Sequence, residues 1–182
     1  MNARYLTDLP AGVLSRAEAI RVAVFDVDGT LTDGRLQYGG ADHDTRRFHV
    51  HDGLGLKRLQ EHGVQVAIIT ARHSQAVALR ADDLGIHHVF QAQRDKRACL
   101  LALLETLNLQ PFQACYAGDD LPDLRPMQIA GLAVAVANAH PWVLERAHWQ
   151  TSRRGGDGAV REVCDLILHA QGRAAAEQAC WQ

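Results

Sequence analysis

Two aspartates separated by one residue, Asp26 and Asp28, stand directly after the apolar run Val22–Phe25 and open the segment DVDGTLT, residues 26–32. The apolar run is typical of a buried strand, and the Gly-Thr pair that follows it is typical of a turn. Two carboxyl groups so placed can divide the work of phosphoryl transfer, because one can attack phosphorus while the other protonates the leaving oxygen and later activates water. Turns favour Asp in any case, so the longer motif carries this interpretation.

Three further polar features follow later apolar runs. Thr70 ends the run at residues 64–69, where a hydroxyl can bind a phosphoryl oxygen; a strand-end or N-cap threonine is the simpler alternative. Lys96 begins a predicted helix, where an ammonium group can offset negative charge, although a lone surface lysine would be unremarkable. The segment GDDLPD, residues 118–123, can act in catalysis or only cap a helix. Its three carboxylates are Asp119, Asp120 and Asp123.

Strand-length apolar runs alternate with segments of helical periodicity along the chain, which predicts an α/β fold, a doubly wound parallel sheet covered on both faces. Ligands bind at the carboxyl ends of strands in such sheets, and every candidate catalytic group follows an apolar run. The predicted strands are 22–25, 64–69, 89–90, 114–117 and 132–136, and the predicted helices are 55–62, 74–84, 96–107, 121–130 and 159–171.

One insertion and one terminal segment interrupt this alternation. Residues 33–50 contain a Gly-Gly pair between two short polar-apolar runs, which predicts a β-hairpin too small to be a cap domain. Residues 173–182, rich in Ala and Gln, are predicted to be a flexible tail. Residues 1–172 are therefore expected to form a single domain.

Composition narrows the classes of function. The chain has 182 residues, 47% hydrophobic, which suffices for one core, and its net charge of −2 gives no field that would attract nucleic acid or an anionic membrane. The four cysteines are far apart without zinc-site spacing, which indicates a reducing compartment. No export signal or run of about 18 apolar residues occurs, so a cytoplasmic protein is expected.

The clustered carboxylates indicate a divalent cation. Carboxylates from two strand ends would repel by about 4 kcal/mol per close pair at an intermediate effective dielectric, and a cation removes that repulsion. A donor set of hard oxygens favours Mg²⁺. His49 and His51, which would share one face of a strand, could suggest another metal, but no third ligand stands at a suitable spacing.

In order and context, these four motifs resemble those of the haloacid dehalogenase superfamily of aspartyl-phosphate phosphatases. The resemblance implies that Asp26 is the nucleophile, Asp28 the acid and base, and Thr70 and Lys96 the groups that hold the phosphoryl group. It implies that Mg²⁺ is bound by the carboxylate of Asp26, the backbone carbonyl of Asp28 and the carboxylate of Asp119. Supporting roles would fall to Asp120 and Asp123.

Four other segments resemble one capless branch, the 3-deoxy-D-manno-octulosonate 8-phosphate phosphatases of lipopolysaccharide synthesis. These are FHVHDG at 48–53, TAR at 70–72, AVAVANAHP at 133–141 and GGDGAVREVCD at 155–165. The resemblance implies a homotetramer in which neighbouring subunits cover each site. It implies a sugar-acid phosphate as substrate, bound by Asp28, His49, Val50, His51, Asp52, Gly53, Arg72, Arg80 and Lys96.

Three positions depart from that branch. His51 stands where Arg is common, which replaces a permanent cation with a pH-dependent one. Ala71 replaces Gly, which is tolerable only if φ is negative there, and Asn138 replaces Asp. Arg72 and Arg80, eight residues apart at the start and on one face of a predicted helix, are expected to reach one anion.

Two other functions fit the same motifs. A related enzyme would hydrolyse a nine-carbon sialic-type sugar 9-phosphate with the same catalytic core. A catalytically silent assembly module is the second alternative, although such a module would have no physical need for Asp26, Asp28, Thr70, Lys96 and Asp119 together.

Overall fold

The computed structural model describes residues 4–37 and 45–179 of the chain. Six strands form one sheet in the order β3-β2-β1-β4-β5-β6, and every neighbouring pair is parallel. This confirms the predicted α/β fold with a parallel sheet. The strands are β1 Val22–Phe25, β2 Gln65–Ile69, β3 His88–Phe90, β4 Ala114–Gly118, β5 Leu132–Ala135 and β6 Trp149–Gln150.

Helices cover both faces of the sheet because successive side chains of a strand point to opposite faces. In β1, Ala23 and Phe25 enter one apolar core and Val22 and Val24 enter the other. The helices are α1 Val13–Glu18, α2 Val50–Glu61, α3 Gln75–Asp83, α4 Lys96–Thr106, α5 Leu124–Met127, α6 Pro141–Leu144, α7 Ala159–Ala170 and α8 Ala174–Ala179. Short 3₁₀ turns occupy Arg4–Leu6, Pro111–Gln113 and Leu121–Asp123.

Side-chain caps fix the starts of the two helices that follow β2 and β3. The hydroxyl of Ser74 accepts a hydrogen bond from the backbone N–H of Val77 at 3.3 Å. The carboxylate of Asp95 accepts one from the N–H of Ala98 at 3.0 Å. Each bond satisfies a donor in the first turn that has no partner within its helix. Helix α4 therefore begins at Lys96, as predicted.

The β-hairpin predicted for residues 33–50 stays a prediction, because its Gly-Gly turn lies outside the described residues, although Val50 at the end of the segment belongs to a helix. Residues 33–37 and 45–49 contain no strand, and helix α2 begins at Val50; residues 38–44 lie outside the described residues. His49 is the N-cap of α2, and its Nδ1 accepts from the N–H of His51 at 3.2 Å. The predicted helix began at Gly55 instead of Val50, because Asp52, Gly53 and Gly55 interrupt the apolar pattern of the first turns of α2.

Several other expectations from the sequence need correction. The helix predicted at 121–130 is a 3₁₀ turn followed by the four-residue α5, since Pro126 lies close to its start. Helices α1 and α6 and strand β6 were not predicted. Residues 174–179 of the predicted tail form α8, residues 180–182 lie outside the described residues, and the flexibility of the tail stays a prediction. No helix within 4–37 or 45–179 is long and apolar enough to cross a membrane.

A buried carboxylate holds the loop between β6 and α7. Glu162 lies in the first turn of α7 and is buried, and its two oxygens accept hydrogen bonds from the N–H and the hydroxyl of Ser152 at 2.7 and 2.5 Å. The same loop carries Gly155, which packs against the backbone of Gly29. Glu162 therefore fixes a loop that touches the DVDGTLT turn.

We expect Glu162→Ala to lower the free energy of unfolding by about 1–3 kcal/mol, because Ser152 loses both of its acceptors. Glu162→Gln, which keeps one oxygen acceptor, should lose less, and Glu145→Ala on the exposed surface should behave like the wild type. Urea denaturation measures all three. Equal midpoints for Glu162→Ala and the wild type would contradict this role.

Candidate active site

Neighbouring strands bring the two acidic motifs together. Asp26 follows β1 and Asp119 follows β4, and these strands are adjacent, with Phe25 opposite Ala117. One carboxylate oxygen from each of Asp26, Asp119 and Asp123 lies within 4.8 Å of the others. The carboxyl ends of the strands therefore assemble the predicted acidic cluster.

Glycine at position 29 permits this close approach. Gly29 has φ of 102°, and a Cβ added there would lie 2.0 Å from Oδ2 of Asp119. The turn is further held by Thr32, whose hydroxyl donates to the carbonyl of Val27 at 3.1 Å and accepts from the N–H of Gly29 at 3.3 Å. Any larger residue at position 29 would push the two acidic motifs apart.

Lys96 connects the nucleophile candidate to the rest of the cluster. Its buried Nζ donates to Oδ1 of Asp26 at 2.5 Å and to Oδ1 of Asp123 at 2.7 Å. The same oxygen of Asp123 accepts from the hydroxyl of the fully buried Tyr116 at 2.9 Å. Sequence reasoning missed Tyr116, since a tyrosine within an apolar strand is indistinguishable from a core residue.

Asp123 is held by backbone groups as well. Its Oδ2 accepts hydrogen bonds from the N–H groups of Asp119 and Asp120 at 3.1 and 3.3 Å. A Cβ at Gly118 would lie 2.5 Å from this oxygen, so glycine is required there too. Asp123 therefore orients the ammonium group of Lys96 and the backbone of residues 119–120, in keeping with a supporting role.

Burial and mutual repulsion alter the protonation of the cluster. Burial, with the nearby charge of Asp123, raises the pKa of Asp26 well above its ordinary value, although Lys96 acts in the opposite direction. Burial together with Asp123 and Asp120 raises the pKa of Asp119 to about 7. For Lys96, burial opposes the charge, but the attraction of Asp26 and Asp123 outweighs it and raises the pKa.

This donor set fits Mg²⁺. Three carboxylates share one region with a single ammonium group, so negative charge exceeds positive charge in a site largely removed from water. The donors are hard oxygens, and Mg²⁺ is bound by one or two carboxylates with water and phosphate completing its shell. Asp26 has one oxygen bound by Lys96 and Asp119 has one oxygen 3.4 Å from the hydroxyl of Thr30, so each can offer its other oxygen to a cation, whereas Asp123 is already engaged by four donors.

Thr70 lies at the carboxyl end of β2, next to β1, as predicted. It is buried, and its hydroxyl accepts from the N–H of Arg72 at 3.3 Å. Ala71 does not require a glycine: the described non-glycine residues with positive φ are Ala92 and Asn108. The substitution at position 71 is therefore compatible with the backbone.

Two arginines contact Asp28. Nε of Arg46 lies 3.0 Å from Oδ1, and Nε of Arg72 lies 3.5 Å from Oδ2. Arg46 was missed by sequence reasoning; a basic residue shortly before FHVHDG is the only signal that could have pointed to it. Asp28 is thus partly buried, with its side chain 21% exposed and cations on two sides.

The remaining substrate-contact candidates gather around α2 and α3. Arg80 lies 5.8 Å above the ring of Phe48, and a Cβ at Gly53 would lie 2.2 Å from its Nη2. Its guanidinium pairs with Asp83 at 2.8 Å. Arg72 precedes α3 rather than lying on it, so the expectation that both arginines share one helix face is wrong. A cavity between these elements is lined by residues including Leu31, Phe48, His49, Asp52, Gly53 and Arg80.

Asp52, His51 and Val50 have different surroundings. Asp52 is buried, and its Oδ1 accepts from the N–H of Arg161 in the first turn of α7 at 2.7 Å. Its Oδ2 has no hydrogen-bond partner among the described residues, and burial raises its pKa. Val50 and His51 are exposed, and the rings of His49 and His51 meet edge to face with centroids 4.8 Å apart. The expectation that the two histidines alternate along a strand is therefore wrong.

Asn138 links two backbone segments at the site. Its Nδ2 donates to the carbonyl of Gly29 at 3.4 Å, and its Oδ1 accepts from the N–H of Gly155 at 2.7 Å. A deprotonated Asp at this position could accept the second bond but could not donate the first. The neutral amide is thus suited to both partners.

Comparisons with known proteins agree with this geometry. A family model described as haloacid dehalogenase-like hydrolase matches residues 83–163. The 3-deoxy-D-manno-octulosonate 8-phosphate phosphatase of Yersinia pestis is 48% identical over 159 residues, which is 87% of this chain and 85% of that protein. The enzyme of the same name from Escherichia coli K12 is 45% identical over 163 residues, 90% of this chain and 87% of that one.

Solved structures of similar proteins agree with these sequence comparisons. A hypothetical protein from Xanthomonas campestris matches with a TM-score of 0.95 at 49% identity over 100% of both chains. The 3-deoxy-D-manno-octulosonate 8-phosphate phosphatase of Moraxella catarrhalis, in complex with magnesium, phosphate and the sugar acid, matches with a TM-score of 0.92 at 41% identity over 93% of this chain and 98% of that one. The chain therefore belongs to the 3-deoxy-D-manno-octulosonate 8-phosphate phosphatase family of haloacid dehalogenase-like hydrolases.

Proposed function

We propose that this protein is a Mg²⁺-dependent phosphoric monoester hydrolase that converts 3-deoxy-D-manno-octulosonate 8-phosphate to the free sugar acid and phosphate in lipopolysaccharide biosynthesis. The observation that carries the proposal is the convergence of Asp26 and Asp119 beside the ammonium group of Lys96. Relatives at 45–48% identity over most of the chain bear the name of this activity.

Asp26 is the nucleophile in this proposal. One of its oxygens is held by Lys96, and the other can attack phosphorus, so that an Asp26–phosphorus bond forms while the bond from phosphorus to the sugar oxygen breaks. The hydroxyl of Thr70 and the ammonium of Lys96 hold oxygens of the transferring group. Because Lys96 is also tied to Asp123, the nucleophile is positioned before substrate arrives.

Asp28 performs the proton transfers. It donates a proton to the leaving sugar oxygen and then takes one from the water that hydrolyses the aspartyl-phosphate. Arg46 and Arg72 hold its two oxygens, which fixes the direction of the carboxyl group. Its side chain is partly exposed, which gives it access to both the leaving group and water.

Mg²⁺ would be held by the carboxylates of Asp26 and Asp119 and the backbone carbonyl of Asp28, and when bound it stabilises negative charge on the phosphoryl oxygens. Asp120 and Asp123 would support this set. Burial raises the pKa of Asp119, and repulsion from the carboxylates of Asp123 and Asp120 raises it further. A cation at this position lowers that repulsion.

Substrate contacts are proposed on both sides of the catalytic cluster. Asp28, Arg72 and Lys96 would meet the phosphate end, and His49, Asp52, Gly53 and Arg80 line the cavity next to it. Val50 and His51 are exposed at the start of α2, where they can reach substrate or a neighbouring subunit. A nine-carbon sialic-type 9-phosphate remains the alternative substrate, because it would use the same catalytic groups.

We further propose a homotetramer located in the cytoplasm. Val50 on α2 and Leu79 on α3 are 74% and 64% exposed, and both helices flank the cavity beside the site. Large exposed apolar side chains next to an open site favour coverage by a second subunit. Cys99, Cys115 and Cys164 are free thiols, which is compatible with a reducing compartment.

The substrate is tested by phosphate release with Mg²⁺ from the octulosonate 8-phosphate, a nine-carbon 9-phosphate, hexose phosphates and p-nitrophenyl phosphate. We expect a strong preference for the octulosonate ester. Asp26→Asn should lower the rate roughly a thousand-fold or more, because it removes the nucleophile. Asp8→Asn, an exposed aspartate, is the control. Equal rates on all esters would reduce the proposal to a general phosphatase, and no activity would favour the assembly module.

Magnesium affinity should depend on pH. The pKa of Asp119 is raised to about 7 and that of Asp26 is also raised, so both carboxyl groups must lose a proton to bind a cation, and apparent Mg²⁺ affinity should rise with pH, by about ten-fold per pH unit below pH 7 for Asp119 alone. The Mg²⁺-induced increase in melting temperature at pH 6 and pH 8 measures this. Asp120→Asn should move the transition to lower pH, because it removes a repelling carboxylate. A pH-independent increase would contradict the assignment.

The oligomer is tested by sedimentation equilibrium. A tetramer of the 20.0 kDa chain should appear at about four times that mass. The double substitution Val50→Glu with Leu79→Glu should reduce the mass, because it introduces charge into the proposed interface. Leu14→Glu, at an exposed leucine of α1, serves as the control. A monomeric wild type would exclude the tetramer.

A further inference from the structure

A second cavity opens beside the DVDGTLT turn. Two contacts place this cavity next to the catalytic cluster. Gly155 on its rim packs against Gly29, since a Cβ at Gly155 would lie 1.7 Å from the carbonyl oxygen of Gly29. Arg46, the neighbour of Arg47, binds Asp28. The cavity therefore lies at the carboxyl end of the sheet, within the region where substrate binds. The lining residues that matter here are Asp33, Arg35, Arg47, His49, Arg154 and Asp157.

Three guanidinium groups of this cavity have no anionic partner in the described part of the chain. Arg35, Arg47 and Arg154 are exposed, and within residues 4–37 and 45–179 no carboxylate forms an ion pair with any of them. Two carboxylates line the same cavity, and neither is within ion-pair distance of these arginines in the described part of the chain. Asp33 accepts from the backbone N–H of Arg35 at 3.0 Å, and Asp157 lies 3.9 Å from Nε2 of His49.

The other arginines next to the site do have anionic partners. Arg46 and Arg72 are paired with Asp28, and Arg80 is paired with Asp83. The cavity holds three guanidinium groups against the two carboxylates of Asp33 and Asp157, so positive charge is in excess and a bound anion would offset it. Guanidinium groups bind carboxylates through two parallel N–H donors, so a carboxylate suits this cavity well.

The proposed substrate carries a carboxylate far from its reacting phosphate. In an octulosonate 8-phosphate the acid is at one end of an eight-carbon chain and the ester is at the other, so the acid cannot occupy the catalytic cluster while phosphorus faces Asp26. We propose that Arg35, Arg47 and Arg154 form the subsite that binds the carboxylate of the sugar acid. This assignment rests on the proposed function, and it makes these three residues determinants of specificity for acidic sugars.

The test uses the double variant Arg47→Gln with Arg154→Gln. KM for the octulosonate ester should rise about ten-fold or more, because charge-assisted hydrogen bonds to the carboxylate are lost. The kcat/KM for p-nitrophenyl phosphate, which has no carboxylate, should stay within about two-fold of wild type, since Asp26, Asp28 and Lys96 are unchanged. Arg173→Gln is the matched control, because Arg173 is exposed near Val64, which immediately precedes β2 at the opposite end of the sheet.

Calorimetric binding of free 3-deoxy-D-manno-octulosonate separates this inference from the proposed function. Affinity about ten-fold weaker in the double variant supports the subsite, even if the wild type shows no preference for the octulosonate ester and the proposed function fails. Unchanged affinity in the double variant, or no binding by the wild type, overturns the subsite. A parallel loss of activity on p-nitrophenyl phosphate would also overturn it, because the arginines would then act on the catalytic cluster itself.

Discussion

The ammonium group of Lys96, held between Asp26 and Asp123, is the interaction on which the site depends. Burying carboxylates side by side is unfavourable unless positive charge accompanies them, and Lys96 is the buried cation that supplies it. The interaction also orients the carboxylate of Asp26, because Lys96 binds one of its oxygens and leaves the other to attack phosphorus. The remaining excess of negative charge explains why a divalent cation is needed in addition.

This charge cluster is possible only because the backbone approaches very closely around it. Gly29 admits the carboxylate of Asp119, Gly118 admits that of Asp123, and Gly155 lies against the carbonyl of Gly29. Asn138 then joins the last two segments through its amide. The loop before α7 is therefore part of the active-site structure, although it contributes no group to the acidic cluster.

Negative and positive side chains occupy different parts of the site. Carboxylates occupy the centre, where phosphorus reacts, and arginines lie around it in two different states. Arg46 and Arg72 are paired with Asp28 and so orient a proton carrier, whereas Arg47 and Arg154 face an open cavity without an anionic partner among the described residues. Such a division fits a substrate with two separate anionic groups better than a simple phosphate ester.

The sequence alone predicted the fold class and five of the six strands that the structure describes, and it placed the candidate catalytic residues at strand ends, because strand-length apolar runs end at Asp26, Thr70 and Asp119, and parallel strands align their carboxyl ends. It placed Val50 at the end of a hairpin, whereas this residue begins α2, because the local pattern was too weak to separate strand from helix there. Only the tertiary structure decided the partners: Tyr116 with Asp123, Arg46 with Asp28, Asn138 between Gly29 and Gly155. These contacts join residues distant in sequence or hidden in apolar runs, so no local periodicity encodes them.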